Sequence, residues 1–292
     1  MTRVAAPDRL EAELSGLDAL ESVLPPRKTR RARAWFVLWP KVAAAGIFVL
    51  FWQLVVWSGW KPDYVLAGPA DVFPRFWDDL GINADAAATT LQSAVVGFAI
   101  ALLVGTVVGI GVARSKILRS ALGSMITGLQ TMPSIAWFPL AIVVFQLSSG
   151  AITFVVVIGA APSIANGVIG GIDHIPPVLL RAGRVLGARG FASLRHVVLP
   201  AALPSFVAGL KQGWAFAWRS LLAGELLVLI QGRPPGLGRR LDVERQLNSS
   251  AGVMAVMMMI FIIGVVIDAC FFGTLDRWIR RRYGLIDEAA TA

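Results

Sequence analysis

Long apolar runs, separated by short polar or basic segments, dominate the chain. About 20 apolar residues are enough for a helix to cross the hydrocarbon core of a membrane. The uncharged run at 120–172 is 53 residues long, so it predicts two spans, with QLSSG at 146–150 as the turn between them. The predicted spans, six in all, are 42–60, 86–113, two within 120–172, 204–230 and 251–275.

Two prolines lie within the third predicted span, in the stretch TMPSIAWFPL. Pro133 and Pro139 each remove a hydrogen-bond donor from the helix interior, so both are expected to interrupt the helix. Within a membrane, such broken backbone is tolerated only against protein or beside a water-filled cavity. This part of the third span is therefore predicted to face protein or water rather than lipid.

Composition supports a membrane protein and accounts for the positive charge. The chain is 56% hydrophobic and only 15% charged, with a net charge of +9 and a mean hydropathy of +0.69. In a soluble protein this charge would suggest nucleic-acid binding, but here Lys and Arg flank the apolar runs, as the positive-inside rule predicts. Sixteen lie beside the spans on the side of both termini, and six lie on the other side. Both termini are therefore predicted to be cytoplasmic, and no nucleic acid is expected as a partner.

Residues that could carry out catalysis or bind a metal are scarce. No Walker A pattern, nucleophile elbow or metal-ligand cluster is present, and His174 and His196 are the only histidines. The single cysteine, Cys270, excludes an internal disulfide. We therefore expect no catalytic residue, no metal and no cofactor bound by this chain. Any use of ATP would require another chain.

A basic, glycine-punctuated segment, RAGRVLGARGFASLRHVVLP at 181–200, lies between two of the most apolar runs. Each central arginine in a span costs roughly 2.5–3.5 kcal/mol, so four of them exclude a span here. The segment is therefore expected on the cytoplasmic side, folded as two short amphipathic helices that offer a docking surface. The apolar positions are Val178, Ala182, Val185 and Leu186 in the first helix, and Phe191, Leu194 and Val198 in the second.

The same segment resembles the EAA loop of binding-protein-dependent ABC transporter permeases, whose pattern is E-A-A, three residues, Gly, nine residues and Ile-x-Leu-Pro. The residues at the matching positions are Arg181, Ala182 and Gly183 for E-A-A, Gly187 for the glycine, and Leu199 and Pro200 at the end. Arg181 replaces the usual Glu, and Gly183 replaces the second Ala. In that family the loop inserts into a cleft of the ATPase subunit, so the resemblance implies that these residues couple the chain to an ATPase.

Three other stretches narrow the resemblance to one branch of the family. MPSIAWFPLAIVVF at 132–145, WRSLLAGEL at 218–226 and GLGRRL at 236–241 are similar to nitrate/sulfonate/taurine permeases. The resemblance covers residues 40–283. It implies an all-α membrane protein with six transmembrane helices and a cytoplasmic coupling helix.

The resemblance also implies a division of the chain. A cytoplasmic tail is expected at 1–34, a six-span permease domain at 35–283 and a second tail at 284–292. Within the domain, residues 173–203 form what we call the coupling segment.

Partners and substrate are also implied by the resemblance. We expect a homodimer in the inner membrane of a bacterial cell, with the transport path at the two-fold axis. A pair of ABC ATPase subunits would hold ATP and Mg, and a periplasmic or lipid-anchored binding protein would deliver the substrate. The branch implies import of a small anion such as an alkanesulfonate, taurine or nitrate, with bicarbonate or a pyrimidine precursor as alternatives. A secondary transporter is the weaker alternative, because the sequence shows no repeated halves.

Six residues are candidates for lining the path: Pro133, Trp137, Trp214, Trp218, Arg219 and Glu225. For Trp214 and Trp218, which stand four apart on one helix face, packing against lipid or other helices is the alternative. Arg219 and Glu225 are ionisable groups inside a span, and such groups usually face the bundle interior or a pore. Six residues apart on a helix, they lie about 9 Å apart along its axis and on different faces, so they are not expected to pair. Arg219 is expected to meet an anion or an acidic side chain such as Asp268. A purely structural ion pair is the alternative.

Overall fold

The computed structural model describes residues 30–283, and no β-strand occurs among them. The chain forms two compact units that divide between Phe51 and Trp52. In the first unit the described residues belong to helix α1 (Arg30–Trp57), which from Leu38 onwards is long and apolar enough to cross a membrane. Helix α1 begins inside the predicted N-terminal tail. Residues 1–29 and the predicted tail at 284–292 lie outside the described residues.

The second unit is a bundle of helices. Its elements are α2 (Pro69–Asp78), α3 (Leu80–Arg114), α4 (Lys116–Thr131), a 3-10 turn (Ser134–Trp137), α5 (Phe138–Phe145), α6 (Ser149–Asp173), α7 (Pro177–Val185), α8 (Phe191–Leu227), α9 (Leu237–Gln246) and α10 (Ser250–Arg282). Two of them contain a π-helical stretch, Leu194–Val198 in α8 and Ile267–Phe272 in α10.

Five helices, α1, α3, α6, α8 and α10, are each long and apolar enough to cross a membrane, and the sixth predicted span is broken. Helix α4 and the segment Ser134–Phe145 meet at an angle of 106°. Arg119, near the start of α4, forms an ion pair of 2.5 Å with Asp173 at one end of α6. The chain leaves α5 beside Ser149, at the other end of α6. Helix α4 and the segment Ser134–Phe145 together therefore run from one end of α6 to the other. We call these ends the Asp173 end and the Ser149 end.

The prediction for the two prolines is half right. The break falls between Thr131 and Ser134, at Pro133, whose backbone is extended (φ −58°, ψ 126°). Pro139 does not interrupt a helix, because it occupies the first turn of α5. At that position the missing N–H has no partner within the helix to lose.

The prediction of two separate amphipathic helices within the coupling segment is wrong for the second one. Gly190 has a φ of 52° and ends the link after α7, and Phe191 then opens α8, which continues to Leu227. Pro200 cannot donate a backbone hydrogen bond, and the π-helical stretch lies directly before Leu199 and Pro200. The helix therefore absorbs this proline by local widening rather than by ending.

Helix α6 lies between α3 and α8, and glycines let the helix backbones touch. A Cβ atom added at Gly105 of α3 would lie 2.6 Å from the carbonyl oxygen of Ala161, and one added at Gly167 of α6 would lie 2.7 Å from the Cα of Gly209. No side chain fits at these distances. Small residues thus allow the close helix packing that is typical of membrane bundles.

Helices α6 and α8 run antiparallel, which sets the depth of the residues of α8. Gly171 meets Ala202 near the Asp173 end, whereas Gly213 meets Ala160 close to the middle of α6. Residues 208–219 of α8 therefore lie in the middle of the membrane span.

Candidate functional site

Helix α7 ends in a backbone motif that requires glycine at position 187. Gly187 has a φ of 82°, a left-handed conformation that L side chains rarely adopt. The N–H of Ala188 donates to the carbonyl of Gly183 at 2.8 Å, and the N–H of Gly187 donates to the carbonyl of Arg184 at 3.1 Å. This pair of bonds is a Schellman motif, which satisfies the last carbonyls of the helix. The glycine of the EAA-like spacing therefore terminates α7.

Gly183 holds α7 against the first turns of α8. It is buried, and an added Cβ atom would lie 2.8 Å from Cγ2 of Val197. The sequence departure at this position, Gly instead of Ala, therefore permits a closer approach of α7 to α8. Arg181 and Ala182 are exposed, and Nε of Arg181 reaches the carbonyl of Pro177 at 3.5 Å.

The tip of the coupling segment exposes large apolar side chains. Val185 and Leu186 are each 86% exposed, and Phe191 is 74% exposed. Leu199 is also exposed, while Pro200 is half-buried. Large apolar groups grouped on a surface are typical of a protein contact site. The structure therefore exposes an apolar surface at this tip, and its role in docking stays a prediction.

The three branch-like stretches of the sequence meet around Glu225, close to the Ser149 end. Glu225 is 6% exposed, and its Oε2 accepts hydrogen bonds from the hydroxyl of Thr90 at 2.8 Å and from the N–H of Gly238 at 3.1 Å. The N–H of Leu237 donates to the Thr90 hydroxyl at 2.8 Å. Glu225 therefore caps the N-terminus of α9, where a carboxylate is favoured.

The glycines of GLGRRL make this cap possible. A Cβ atom on Gly236 would overlap the Glu225 carboxylate, and one on Gly238 would lie 2.7 Å from the Cβ of Glu225. Gly224, next to Glu225, packs against Phe138 from the MPSIAWFPL stretch, and a Cβ atom added at Gly224 would lie 3.0 Å from that ring. One packing arrangement thus accounts for all three stretches.

A small cavity of about 170 Å³ lies beside this cap. Arg233 borders it together with Glu225, and its guanidinium bonds the hydroxyl of Ser93 and, at 3.3 Å, that of Ser149. These bonds hold the chain after α8 against α3 and α6. Glu225, a predicted path residue, is placed in this buried cap and does not point toward the open side of α8.

The open side of α8 is polar. Between residues 204 and 226, the exposed residues lie within about one third of the helix circumference. They form what we call the polar face of α8, and they are Ala208, Lys211, Gln212, Ala215 and Arg219. No large apolar side chain belongs to this face, although it lies in the middle of the membrane span.

Arg219 presents the end of its guanidinium to open space. Its Nε–H donates to the carbonyl of Ala215 at 3.0 Å, and its guanidinium carbon lies 4.8 Å from the centre of the Phe216 ring. Among the described residues, its two terminal amino groups have no acceptor. This arrangement fixes the side chain and leaves the fork of donors free.

The expected pair between Arg219 and Asp268 is not formed. Asp268 pairs instead with Lys211, at 2.9 Å to Oδ1 and 3.0 Å to Oδ2. Lys211 and Arg219 are eight residues apart, which places them about 12 Å apart along the helix axis. Asp268 is therefore the partner of the cation nearer the Asp173 end.

The predicted aromatic residues have different surroundings. Trp214 and Trp218 stack with ring centres 6.3 Å apart and planes inclined by 18°. Trp214 also meets Phe98 and Phe272 edge-on or tilted, so this pair belongs to the helix packing. Trp137 is half-buried in the 3-10 turn, and Pro133 beside it is exposed.

The family of the chain follows from its similarity to known proteins. Residues 88–281 match the family described as "Binding-protein-dependent transport system inner membrane component". The chain belongs to this family. As a permease of this family it is a multi-pass inner-membrane transport component rather than an enzyme.

Named relatives of the permease include anion transport proteins. It is 29% identical over 258 residues to the bicarbonate transport system permease protein CmpB of Synechococcus elongatus, which covers 84% of this chain and 90% of that protein. It is 30% identical over 222 residues to the nitrate import permease protein NrtB of the same organism, covering 70% of this chain and 78% of that protein.

A solved structure confirms the predicted fold. The inward-facing MetNI methionine ABC transporter matches the permease with a TM-score of 0.58 at 20% identity, covering 69% of this chain and 98% of that one. The predicted all-α ABC importer permease fold is therefore correct.

Two polar groups of the permease were not among the predicted path residues. Lys211 is a charge inside a predicted span, the same signal that selects Arg219. A second group surrounds the break at Pro133, where the amide of Gln130 donates to Ser163 at 2.8 Å and accepts from Asn166 at 2.7 Å. Amides and hydroxyls are common in spans, so the sequence holds no comparable signal for this group.

Proposed function

We propose that this permease forms the membrane path for a small oxyanion of the nitrate or bicarbonate type, and that the polar face of α8 lines this path. The observation that carries the proposal is the composition of that face, which has two cations and an amide in the middle of a span. An arginine or lysine at the centre of a span costs roughly 2.5–3.5 kcal/mol in lipid. Such a face is therefore stable against water or against another protein surface.

The chemistry of Arg219 suits an oxyanion. A guanidinium presents parallel N–H donors that match two oxygens of a planar or tetrahedral oxyanion. Its Nε is already bonded to Ala215, so the two terminal amino groups are left for the ligand. Nitrate and bicarbonate, the substrates named for two relatives, present such oxygens, as do the sulfonate groups of taurine and alkanesulfonates.

A second copy of the permease completes the path in this proposal. One bundle leaves the polar face of α8 open, and lipid would solvate its charges poorly. Two bundles that face each other across a two-fold axis would enclose a water-filled passage. Pro133 and Trp137, at the break of the third span, are proposed to lie along it.

The energy would come from partner chains. Both termini and the coupling segment are proposed to lie in the cytoplasm, where Arg181, Ala182 and Gly187 would contact an ATPase subunit together with Val185 and Leu186. A pair of ATPase subunits would bind ATP and Mg, and a binding protein outside would deliver the anion. Closure of the ATPase pair would move the coupling segments and switch the path between inward- and outward-facing states.

ATP hydrolysis by the complete transporter tests the substrate. Permease, ATPase and binding protein are reconstituted and assayed with nitrate, bicarbonate, taurine, an alkanesulfonate and an uncharged pyrimidine. We expect stimulation by at least one of the four compounds that carry an oxyanion group, and loss of transport in Arg219→Gln with normal assembly. Arg219→Lys, which keeps the charge but not the fork, should be intermediate. Stimulation by the pyrimidine alone would contradict the proposal.

A further inference from the structure

Few charges lie in the middle of the bundle. Among the described residues of the bundle, the central parts of the spans carry only Lys211, Arg219 and Asp268. Glu225 lies nearer the Ser149 end, in its buried cap beside Arg233. The charge balance of the bundle centre is therefore set by two cations and one carboxylate.

The carboxylate is committed to one of the cations. Both oxygens of Asp268 contact Nζ of Lys211, at 2.9 and 3.0 Å, and the two side chains are 52% and 53% exposed. The pair joins α10 to the polar face of α8, and both side chains are exposed on the side of that face. Arg219 has no carboxylate among the described residues, so it is the uncompensated cation.

Asp268 also lies where α10 departs from regular geometry. It belongs to the π-helical stretch Ile267–Phe272, and such single-turn stretches often occur at functional sites. The site of Asp268 is thus distinguished by its backbone as well as by its charge.

We propose that Asp268 determines charge selectivity: by neutralising Lys211 it leaves one net positive charge in the path of each protomer, which favours singly charged anions over doubly charged ones. The inference rests on the proposed anion path. A carboxylate near the path also repels a doubly charged anion twice as strongly as a singly charged one at the same distance. Nitrate and sulfate are probes of the two classes.

Four versions of the full-length permease separate charge from structure. The wild type carries one net positive charge at the bundle centre, Asp268→Asn carries two, and Lys211→Gln carries none. The double variant Lys211→Gln/Asp268→Asn restores one. The unfolding temperature of each purified protein is measured against nitrate and sulfate at constant ionic strength, and the response of Arg219→Gln is subtracted as the background.

We expect nitrate to stabilise the wild type more strongly than sulfate at equal concentration. Lys211 lies about 12 Å along the helix from Arg219. At the effective dielectric constant of about 20 that is typical near a protein surface, Coulomb's law gives a rise of about tenfold in the ratio of sulfate to nitrate affinity in Asp268→Asn. Lys211→Gln should bind both anions more weakly, and the double variant should return to the wild-type ratio. If Asp268→Asn does not fold, the swap Lys211→Asp/Asp268→Lys keeps the ion pair and should show the wild-type ratio. The double variant, with one net positive charge, can still be compared with Lys211→Gln, which has none, to test whether the net charge sets the ratio.

The outcomes distinguish the two proposals. An Arg219-dependent nitrate response with an unchanged ratio in Asp268→Asn would overturn the selectivity role and leave the anion path standing. The selectivity role would also be overturned, with the anion path left standing, if the double variant showed the same anion affinities as Lys211→Gln. Absence of any saturable, Arg219-dependent response to nitrate in the wild type would overturn both proposals.

Discussion

Helices α3 and α8 both pack against α6, yet the side chains that they leave exposed differ in chemistry. In the middle of α3 the exposed residues are almost all large and apolar, as shown by Val95, Leu103 and Val107, exposed by 60%, 67% and 62%. On α8 the exposed residues at the same depth are alanines, an amide and two cations. Both helices are apolar enough to be spans, but only the surface of α3 suits lipid.

Predicting a span and predicting what surrounds it are therefore separate questions. Both helices bury small residues against α6, so their inner faces are alike. The chemistry of their outer faces depends on what surrounds each helix. A cation in the middle of a span indicates that water or protein, and not lipid, surrounds that face.

The tip of the coupling segment is a third exposed surface, apolar like α3 but outside the spans. Gly187→Arg should leave the permease inserted yet abolish its association with the ATPase, because the arginine would stand beside Val185 and Leu186 and strain a left-handed backbone. Co-purification with the ATPase measures this. Gly232→Arg is the matched control, since Gly232 also has a positive φ, 74°, and open space around it. Equal ATPase recovery in both variants would remove the docking role.

An added arginine should distinguish the two helix faces directly. Leu103→Arg places a cation on the apolar face of α3 and should cost roughly 2.5–3.5 kcal/mol of insertion free energy. Ala215→Arg places one on the polar face of α8, where that cost should be largely absent. The yield of folded permease in the membrane measures both. Equal losses would indicate that lipid covers the two faces alike.

The buried side of α8 should respond to mutation through stability rather than transport. Glu225→Ala leaves the Gly238 N–H and the Thr90 hydroxyl without an acceptor, and an unpaired buried polar group costs about 1–3 kcal/mol. Thermal unfolding of the purified permease should therefore show a lower midpoint. Arg219→Gln, on the polar face, should keep the wild-type midpoint. A stable Glu225→Ala protein that fails only in transport would return Glu225 to the path.

The parts predicted from sequence depended on local signals. Apolar run length predicted the spans, and the EAA-like spacing marked Gly187, where α7 ends, because both signals lie within one stretch of chain. The cap around Glu225 joins residues 135 positions apart, Thr90 and Glu225, and no local pattern indicates such a contact. The predicted partner of Asp268, Arg219, was wrong for the same reason. Lys211 and Arg219 are both cations of α8, and only the packing of α10 against α8 determines which of them Asp268 contacts.

Reactivity of single cysteines shows whether the polar face of α8 lines a water-filled path. With Cys270 replaced by Ser, Ala215→Cys places a thiol on the polar face of α8, and Ala99→Cys places one on the exposed face of α3 at similar depth. A charged, membrane-impermeant thiol reagent should modify the first and not the second, and nitrate should slow the reaction at position 215. Equal reactivity of the two thiols, or no reaction at either, would contradict a water-filled anion path along α8.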